Sequence, residues 1–275
     1  MRVIIPRSFI ATVLLLFAIN AYSADGVLES LQSINQSQYH QLESSILGRP
    51  LHIVVKLPAD YSETKRKQYP AIYLLDGGEI FPTLAGYYNY LRNQKAVPEA
   101  IIVGISYGSS DFEGGNYRST DYTAPTDQRE YWGGASVFQR VLKQELLPLI
   151  ESTYRADAGK RVIFGQSLGG QFVLYTALTE PDLFWGHIAS NPALHRNLAF
   201  FQQHHSDHAL SGSRLFVASA SNDERRFRIP AVAWINHWSE QNQLPWDLKA
   251  ITIEGYGHFS LLPESFRQGM VWLFD

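Results

Sequence analysis

The sequence predicts an α/β fold built around a mostly parallel, doubly wound sheet. Short apolar runs alternate along the chain with longer segments whose apolar residues recur at helical spacing. The apolar runs lack a strict apolar–polar alternation, which is typical of central parallel strands covered on both faces. No repeat, low-complexity tract or long linker interrupts residues 24–275, which indicates a single domain without a large cap.

Six apolar runs bounded by Gly, Asp, Ser or Pro predict the strands. They are Leu51–Leu57, Ala71–Leu75, Ala100–Ile105, Val162–Phe164, Leu215–Ala218 and Ile251–Ile253. Four amphipathic segments predict helices, namely Ser136–Tyr154, Gln171–Thr179, Ile229–Gln241 and Glu264–Phe274. Pro148 is expected to kink the first of these helices or to end it early. Ligands of such sheets bind at the carboxyl ends of the strands, so the chemistry is expected there.

The composition excludes several classes of function. The chain of 275 residues is 45% hydrophobic and 13% aromatic, too apolar for a mainly disordered protein. Its net charge of −3 gives no indication of binding to nucleic acid or to an anionic membrane. It contains no cysteine, which rules out a disulfide scaffold, a thiolate zinc site and a cysteine nucleophile.

Residues 1–23 have the layout of a secretory signal peptide. Arg2 and Arg7 precede an uncharged apolar stretch, Phe9–Ile19, and Ala21–Ser23 places small residues at a cleavage site. The apolar stretch is shorter than the ~20 residues of a membrane span, so no anchor is expected after cleavage. A periplasmic or secreted protein of 252 residues with a net charge of −5 is therefore expected.

The segment Gly165–Gly170 reads Gly-Gln-Ser-Leu-Gly-Gly and joins a predicted strand to a predicted helix. This is the context of a nucleophile elbow, in which a sharp turn lifts Ser167 into the cleft. Side chains two positions either side of the serine must be nearly absent, and Gly165 and Gly169 meet that need. A second interpretation makes Ser167 only the N-cap of the following helix.

A serine nucleophile needs a base and an acid, in the order Ser, acid, His for this strand–turn–helix context. His258 follows the last predicted strand in a glycine-flanked loop and is the candidate base. The acid is expected after the strand that ends at Ala218, where Asp223 and Glu224 are adjacent. Asp223 is favoured, and Glu224 stays open as the alternative.

The oxyanion donors are expected to be two backbone N–H groups, those of Leu168 and Gly78. Gly78 follows the early strand that ends at Leu75. Asp76, in the same turn, is expected to cap the loop with a side-chain hydrogen bond.

The stretch 106–132 is too long and aromatic for a simple connection. Arg118, Tyr122 and Trp132 are the candidates in it for contact with a substrate, and Arg118 is expected to pair with Asp121. The alternative is an ordered loop that packs on itself. His204 and His208 would share one helix face, yet a third ligand is not evident, so no metal site is expected.

These motifs resemble the putative esterase family of α/β-hydrolases, which includes esterase D-like enzymes, feruloyl esterases and periplasmic siderophore esterases. The resemblance runs from about Leu51 to the C-terminus. It rests on short motifs, namely Tyr73–Gly77, Arg118–Tyr122, Gly133–Ala135 with Phe138, Glu145 and Leu146 with Pro148, Gly165–Gly170, Pro181 with Phe184, Ser190–Pro192, and Gly257 with His258. The Asp-Gly after the early strand and the Arg-x-x-Asp segment bring the chain closest to the siderophore-esterase-like branch.

The resemblance implies an α/β-hydrolase fold and a serine esterase that forms an acyl-enzyme on a small, aryl or siderophore-type ester. Ser167 and His258 take the catalytic positions in it, and Asp223 or Glu224 takes that of the acid. Neither a metal nor an organic cofactor is implied. Two alternatives stay open, an acyltransferase that uses the same acyl-enzyme and a non-catalytic binding protein of the same fold.

Overall fold

The structure, a computed structural model, describes residues 37–126, 131–203 and 212–275. The predicted signal peptide and the two histidines His204 and His208 lie outside these residues. Within the described ranges, eight strands form one sheet. They are β1 (Gln38–Ser44), β2 (Arg49–Lys56), β3 (Tyr69–Leu74), β4 (Ile101–Ser106), β5 (Ala156–Gln166), β6 (Gly186–Ser190), β7 (Arg214–Ala220) and β8 (Asp247–Ile253).

The strand order is β1-β2-β4-β3-β5-β6-β7-β8. The first two strands pair antiparallel with each other, β2 also pairs antiparallel with β4, and every later pair is parallel. The predicted, mostly parallel sheet is therefore confirmed. All six predicted strands are present, and each is longer at one or both ends than its apolar run.

The helices cover both faces of the sheet. They are α1 (Gly77–Asn93), α2 (Arg118–Asp121), α3 (Ala135–Val141), α4 (Leu147–Thr153), α5 (Leu168–Thr179), α6 (Leu198–Phe201), α7 (Arg225–Ser239) and α8 (Leu262–Phe274). Helices α1 and α8 pack on one face, and α3, α4, α5 and α7 pack on the other. In the described parts of the chain, no helix combines the length and the apolar character needed to cross a membrane.

The segment predicted as one helix, Ser136–Tyr154, is helical from Ala135 to Thr153 but changes its winding. Residues Leu142–Leu146 form a π-helical turn between α3 and α4. Pro148 explains the position of that turn, because it has no N–H to donate to the preceding turn and its ring crowds a carbonyl there. The proline widens the helix and does not end it.

Each face of the sheet has its own apolar core. Successive side chains of β3, β5 and β6 point to opposite faces of the sheet. Tyr73 and Ile163 point to the α3–α5 side, and Ile72 and Phe164 point to the α1–α8 side. Strands covered on both sides explain the continuous apolar runs of the sequence.

The order of the strands reverses between β3 and β5. From β3 the chain crosses to β4 on one side, while β5 and the later strands extend the sheet on the other side. The connections that follow β3 and β5 therefore separate and leave a crevice at their carboxyl ends. These are the connections that carry Asp76, Gly78 and Ser167.

Candidate active site

Ser167 occupies the sharp turn between β5 and α5. Its backbone has φ 58° and ψ −115°, a conformation that side-chain-bearing residues rarely adopt. The turn is tight enough that a Cβ on Gly165 would lie 2.3 Å from the carbonyl oxygen of Gly169. The serine side chain makes no capping hydrogen bond to α5, so the N-cap interpretation is wrong. Ser167 instead lines the cleft.

The end of β6 and the loop after it hold this turn in place through hydrogen bonds. The N–H of Ser167 donates to the Ser190 carbonyl at 3.0 Å, and the N–H of Ala193 donates to the Ser167 carbonyl at 3.0 Å. A Cβ on Gly170 would lie 2.8 Å from the Ser190 oxygen, so only glycine lets α5 approach this loop. The two hydrogen bonds fix the backbone of Ser167 through both its N–H and its carbonyl group.

His258 and Asp223 are brought together at the mouth of the cleft. The Nδ1 atom of His258 lies 2.7 Å from Oδ2 of Asp223, and the Asp223 side chain is only 1% exposed. The other carboxylate oxygen of Asp223 accepts the N–H of Glu224 at 2.7 Å. The Glu224 side chain is 63% exposed and pairs with Arg226 at 2.8 Å. Of the two carboxylates left open by the sequence, Asp223 is the one that reaches the histidine.

Two side chains that sequence reasoning missed hold the backbone of His258. Asn191 donates from Nδ2 to the His258 carbonyl at 2.9 Å, and Gln166 donates from Nε2 to the same oxygen. Asn191 also accepts the N–H of Ala220 at 2.7 Å, which ties the histidine loop to the end of β7. The motif Ser-Asn-Pro contained the signal, because Asn adopts the left-handed conformation of tight turns more readily than most residues. In the structure Asn191 has φ 41°.

The two expected oxyanion donors lie at the beginnings of helices. Leu168 is the first residue of α5, and Gly78 is the second residue of α1 and lines the cleft. N–H groups in the first turn of a helix have no acceptor within it, so both remain available for a ligand. The positive end of each helix dipole favours negative charge beside these N–H groups.

Asp76 precedes α1 with φ 54° and makes no capping hydrogen bond, so the expected capping role is wrong. Its carboxylate instead accepts two hydrogen bonds from Arg118, at 2.7 and 2.8 Å. Burial alone would lower the pKa of Arg118, but the hydrogen bonds and the charge of Asp76 raise it. Arg118 lines the cleft as predicted, but with its charge already paired.

The expected pair of Arg118 with Asp121 is also wrong. Asp121 is buried and accepts two contacts from Nη2 of Arg49, at 2.7 and 2.6 Å, and a third from the Tyr107 hydroxyl at 2.9 Å. Residues three apart on the short helix α2 were close enough in sequence to suggest a pair. Arg118 instead pairs with Asp76 in the turn after β3, and Asp121 pairs with Arg49 at the start of β2.

Two of the three predicted substrate contacts do not face the cleft. Tyr122 is fully buried between Phe138 and Phe172, and its hydroxyl accepts the N–H of Asp76 at 3.3 Å. Trp132 packs beneath the guanidinium of Arg196 and does not line the cleft. Much of the aromatic stretch thus packs on itself, which was the alternative interpretation.

The cleft has a volume of about 780 Å³, within the usual range for small-molecule sites. One end is polar and includes Ser106, Asn116 and Arg118. The lining also includes Phe227 and Phe259, and the Phe259 side chain is 84% exposed beside His258. In the described ranges, no group of three or more His, Asp or Glu side chains is arranged to hold a metal ion.

The model of the family described as "Putative esterase" matches residues 44–259, a segment that contains Ser167, Asp223 and His258. The chain belongs to the putative esterase family. Its similarity to known members of this group extends to both sequence and fold.

Among its relatives, the "Ferri-bacillibactin esterase BesA" of Bacillus subtilis is 35% identical over 197 residues. This match covers 65% of both chains. The "Apo-salmochelin esterase" of Escherichia coli is 28% identical over 138 residues, which is 46% of this chain and 42% of that protein. The matches therefore span less than two thirds of the length of these relatives.

A solved structure, that of an IroE-like serine hydrolase from Shewanella oneidensis, has the same fold. The TM-score is 0.77 at 25% identity, over 87% of this chain and 80% of that one. The BES protein from Bacillus cereus gives a TM-score of 0.74 at 21% identity over the full length of both chains.

Proposed function

We propose that this protein is a serine carboxylic-ester hydrolase. The observation that carries the proposal is the position of Ser167 on a strained turn in the same cleft as a histidine bonded to a buried carboxylate. Membership of the putative esterase family supports the reaction class. In this assignment Ser167 is the nucleophile, His258 the base and Asp223 the acid.

In the proposed reaction each group has one task. Asp223 binds Nδ1 of His258, which leaves Nε2 to take the proton of the Ser167 hydroxyl. The Ser167 Oγ then bonds to the ester carbonyl carbon, and the carbonyl oxygen becomes an oxyanion that accepts from the N–H groups of Leu168 and Gly78. The carbon–oxygen bond to the alcohol breaks, and the alcohol leaves with the proton from His258.

The acyl-enzyme is hydrolysed by the same groups in reverse. His258 takes a proton from water, the hydroxide oxygen bonds to the acyl carbon, and the oxyanion forms again at the two N–H groups. The bond to Ser167 then breaks, the serine recovers its proton from His258, and the carboxylic acid leaves. These steps use residues of the chain, the ester and one water molecule.

We infer a siderophore-type ester as the substrate class, because the two curated relatives described above carry siderophore esterase names. A cleft of about 780 Å³ is large enough for a substrate of small-molecule size. Hydrolysis of catecholate trilactones, p-nitrophenyl acetate and methyl ferulate by the purified protein compares this class with small and aryl esters. A siderophore ester turned over no faster than p-nitrophenyl acetate would contradict the inference.

The reaction class is tested by Ser167→Ala. We expect the substitution to lower kcat for p-nitrophenyl butyrate by at least about 10⁴-fold, because it removes the bond-forming atom. The thermal unfolding midpoint should stay close to that of the wild-type protein, since the serine side chain makes no capping bond. Wild-type turnover in this variant would contradict the proposal.

We also propose export to the periplasm or the medium, on the signal-peptide layout of residues 1–23. Replacing both Arg2 and Arg7 with Glu should retain the protein in the cytoplasm, as fractionation and immunoblotting would show. Unchanged export would contradict this proposal.

A further inference from the structure

We infer that Phe227 is a positioning residue for His258, an inference that rests on the function proposed above. The ring of Phe227 lies against the imidazole with centroids 4.5 Å apart and planes inclined by 30°. Phe227 is half-buried and lines the cleft, so one side of the ring faces the reacting groups.

The other contacts of His258 restrain the rotation of its ring only weakly. Asn191 and Gln166 hold its carbonyl oxygen, and Asp223 accepts a single hydrogen bond at Nδ1 in the plane of the ring. Rotation of the ring about its Cβ–Cγ bond is then resisted by that single hydrogen bond alone. A flat group against the face of the imidazole prevents the rotation, and Phe227 supplies it.

Helix α7 delivers both constraints from one place. Asp223 lies just before the helix, and the Phe227 N–H donates to the Glu224 carbonyl at 2.9 Å in its first turn. The acid and the ring are therefore only four residues apart in the chain, and both contact the histidine. The acid meets the edge of the imidazole, while the phenyl ring meets its face.

Phe227 is itself wedged between other groups. The edge of His195 meets it at 5.1 Å and 85°, and the guanidinium of Arg226 lies 4.5 Å from its centroid. Arg226 in turn pairs with Glu224 at 2.8 Å. Phe259 offers no substitute, because it meets the imidazole at 88° and is 84% exposed.

Two substitutions of Phe227 distinguish the effect of a flat ring from that of an apolar side chain. Phe227→Leu keeps an apolar side chain but loses the flat face, and we expect kcat for p-nitrophenyl acetate to fall about tenfold. The value of KM should stay within about twofold, since the small substrate does not need the ring to bind. Phe227→Tyr keeps the flat face, and its kcat should lie within about twofold of the wild-type value.

The labelling rate of Ser167 by a fluorophosphonate should fall in Phe227→Leu in parallel with kcat, because His258 must take the same proton. Ile229→Ala is the matched control: it removes an exposed apolar side chain, 51% exposed, from the same helix. It should leave kcat and labelling unchanged.

Three results would overturn the inference. A wild-type kcat in Phe227→Leu would overturn it. A loss of kcat in Phe227→Tyr equal to that in Phe227→Leu, with a wild-type unfolding midpoint, would also overturn it. If Phe227→Leu does not fold, Phe227→Met repeats the comparison with a flexible side chain. Failure of both to fold would show that Phe227 acts only through stability. Wild-type protein that hydrolyses no ester would instead contradict the proposed function.

Discussion

Two neighbouring carboxylates, Asp223 and Glu224, occupy opposite environments at the start of α7. The first is 1% exposed and bonded to Nδ1 of His258, while the second is 63% exposed and paired with a surface arginine. Adjacent residues before a helix point in different directions, so a shift of one position decides which of them can orient the histidine. Only Asp223 has the contacts needed for that task.

Asp223→Asn should lower kcat/KM for p-nitrophenyl acetate by about 10²- to 10⁴-fold, because an amide no longer stabilises the imidazolium or selects its tautomer. Glu224→Gln, the matched change at the next position, should stay within about threefold of the wild-type value, as expected for an exposed pair. Steady-state kinetics on the two variants decide this, and equal losses in both would count against the assignment of Asp223.

Arg118 and Asp76 form a bidentate pair whose side chains are 31% and 15% exposed. Arg118→Met would leave the Asp76 carboxylate half-buried without its partner, at a cost of about 1–3 kcal/mol in the free energy of unfolding. The turn that presents Gly78 would also lose its brace, so kcat should fall more than KM rises. Chemical denaturation and kinetics measure both effects. A rise in KM alone would indicate that Arg118 binds substrate instead.

At the scale of elements, the glycines at the β5–α5 turn fix the shape of the elbow. A Cβ on Gly165 would lie 2.3 Å from the Gly169 carbonyl oxygen, so Gly165→Ala should destabilise the fold by about 1–3 kcal/mol or more. Gly86→Ala is the control within α1, where a Cβ meets nothing within 4 Å. It should stabilise the protein by about 0.5–1 kcal/mol through helix propensity. Thermal unfolding of both variants checks the opposite signs, and a neutral Gly165→Ala would contradict this account of the turn.

The elements predicted from the sequence were those with strong local signals. The elbow was readable because a strained turn between a strand and a helix demands glycines at fixed positions. Helix α1 was missed because Gly77, Gly78, Pro82 and Gly86 all weaken its helical signal. Strand β1 was missed because its seven residues are largely polar, as suits an edge strand with a solvated face.

The pairing of charges in the site could not be read in the same way. Arg118 bonds to Asp76, 42 residues away, and Asp121 bonds to Arg49, 72 residues away. Nothing in the local sequence distinguishes these partners from the adjacent ones, because the choice depends on which parts of the sheet the segment that carries Arg118 and Asp121 packs against. The same applies to Tyr122, whose burial depends on Phe138 and Phe172 from two other helices.

At the scale of the whole molecule, the sheet contains a buried titratable group. His187 on β6 is wholly buried and packs edge-on against Phe184 at 5.9 Å. Burial lowers the pKa of His187 from 6.5 to about 3. The fold therefore holds this imidazole neutral, whereas the unfolded chain protonates it more readily at mildly acidic pH.

This difference predicts the pH dependence of stability. The pKa of His187 is lower in the folded protein than in the unfolded chain. The contribution of neutral His187 to the free energy of unfolding is therefore fully present above pH ~6.5 and is lost as the pH falls toward ~3. Between pH ~7 and pH ~5 the loss attributable to His187 should be about 2 kcal/mol. His187→Leu should flatten the dependence over that interval, as urea unfolding at several pH values would show. An unchanged slope would assign the pH dependence to other groups.

The central claim is that Ser167 forms the covalent bond to the acyl group. Its most direct test is to treat the wild-type protein, Ser167→Ala and His258→Ala with a fluorophosphonate and to map the modified peptide by mass spectrometry. We expect one label per chain in the wild-type protein, on Ser167, none in Ser167→Ala, and a much slower reaction in His258→Ala. A label on another residue, or equal labelling of Ser167→Ala, would contradict it.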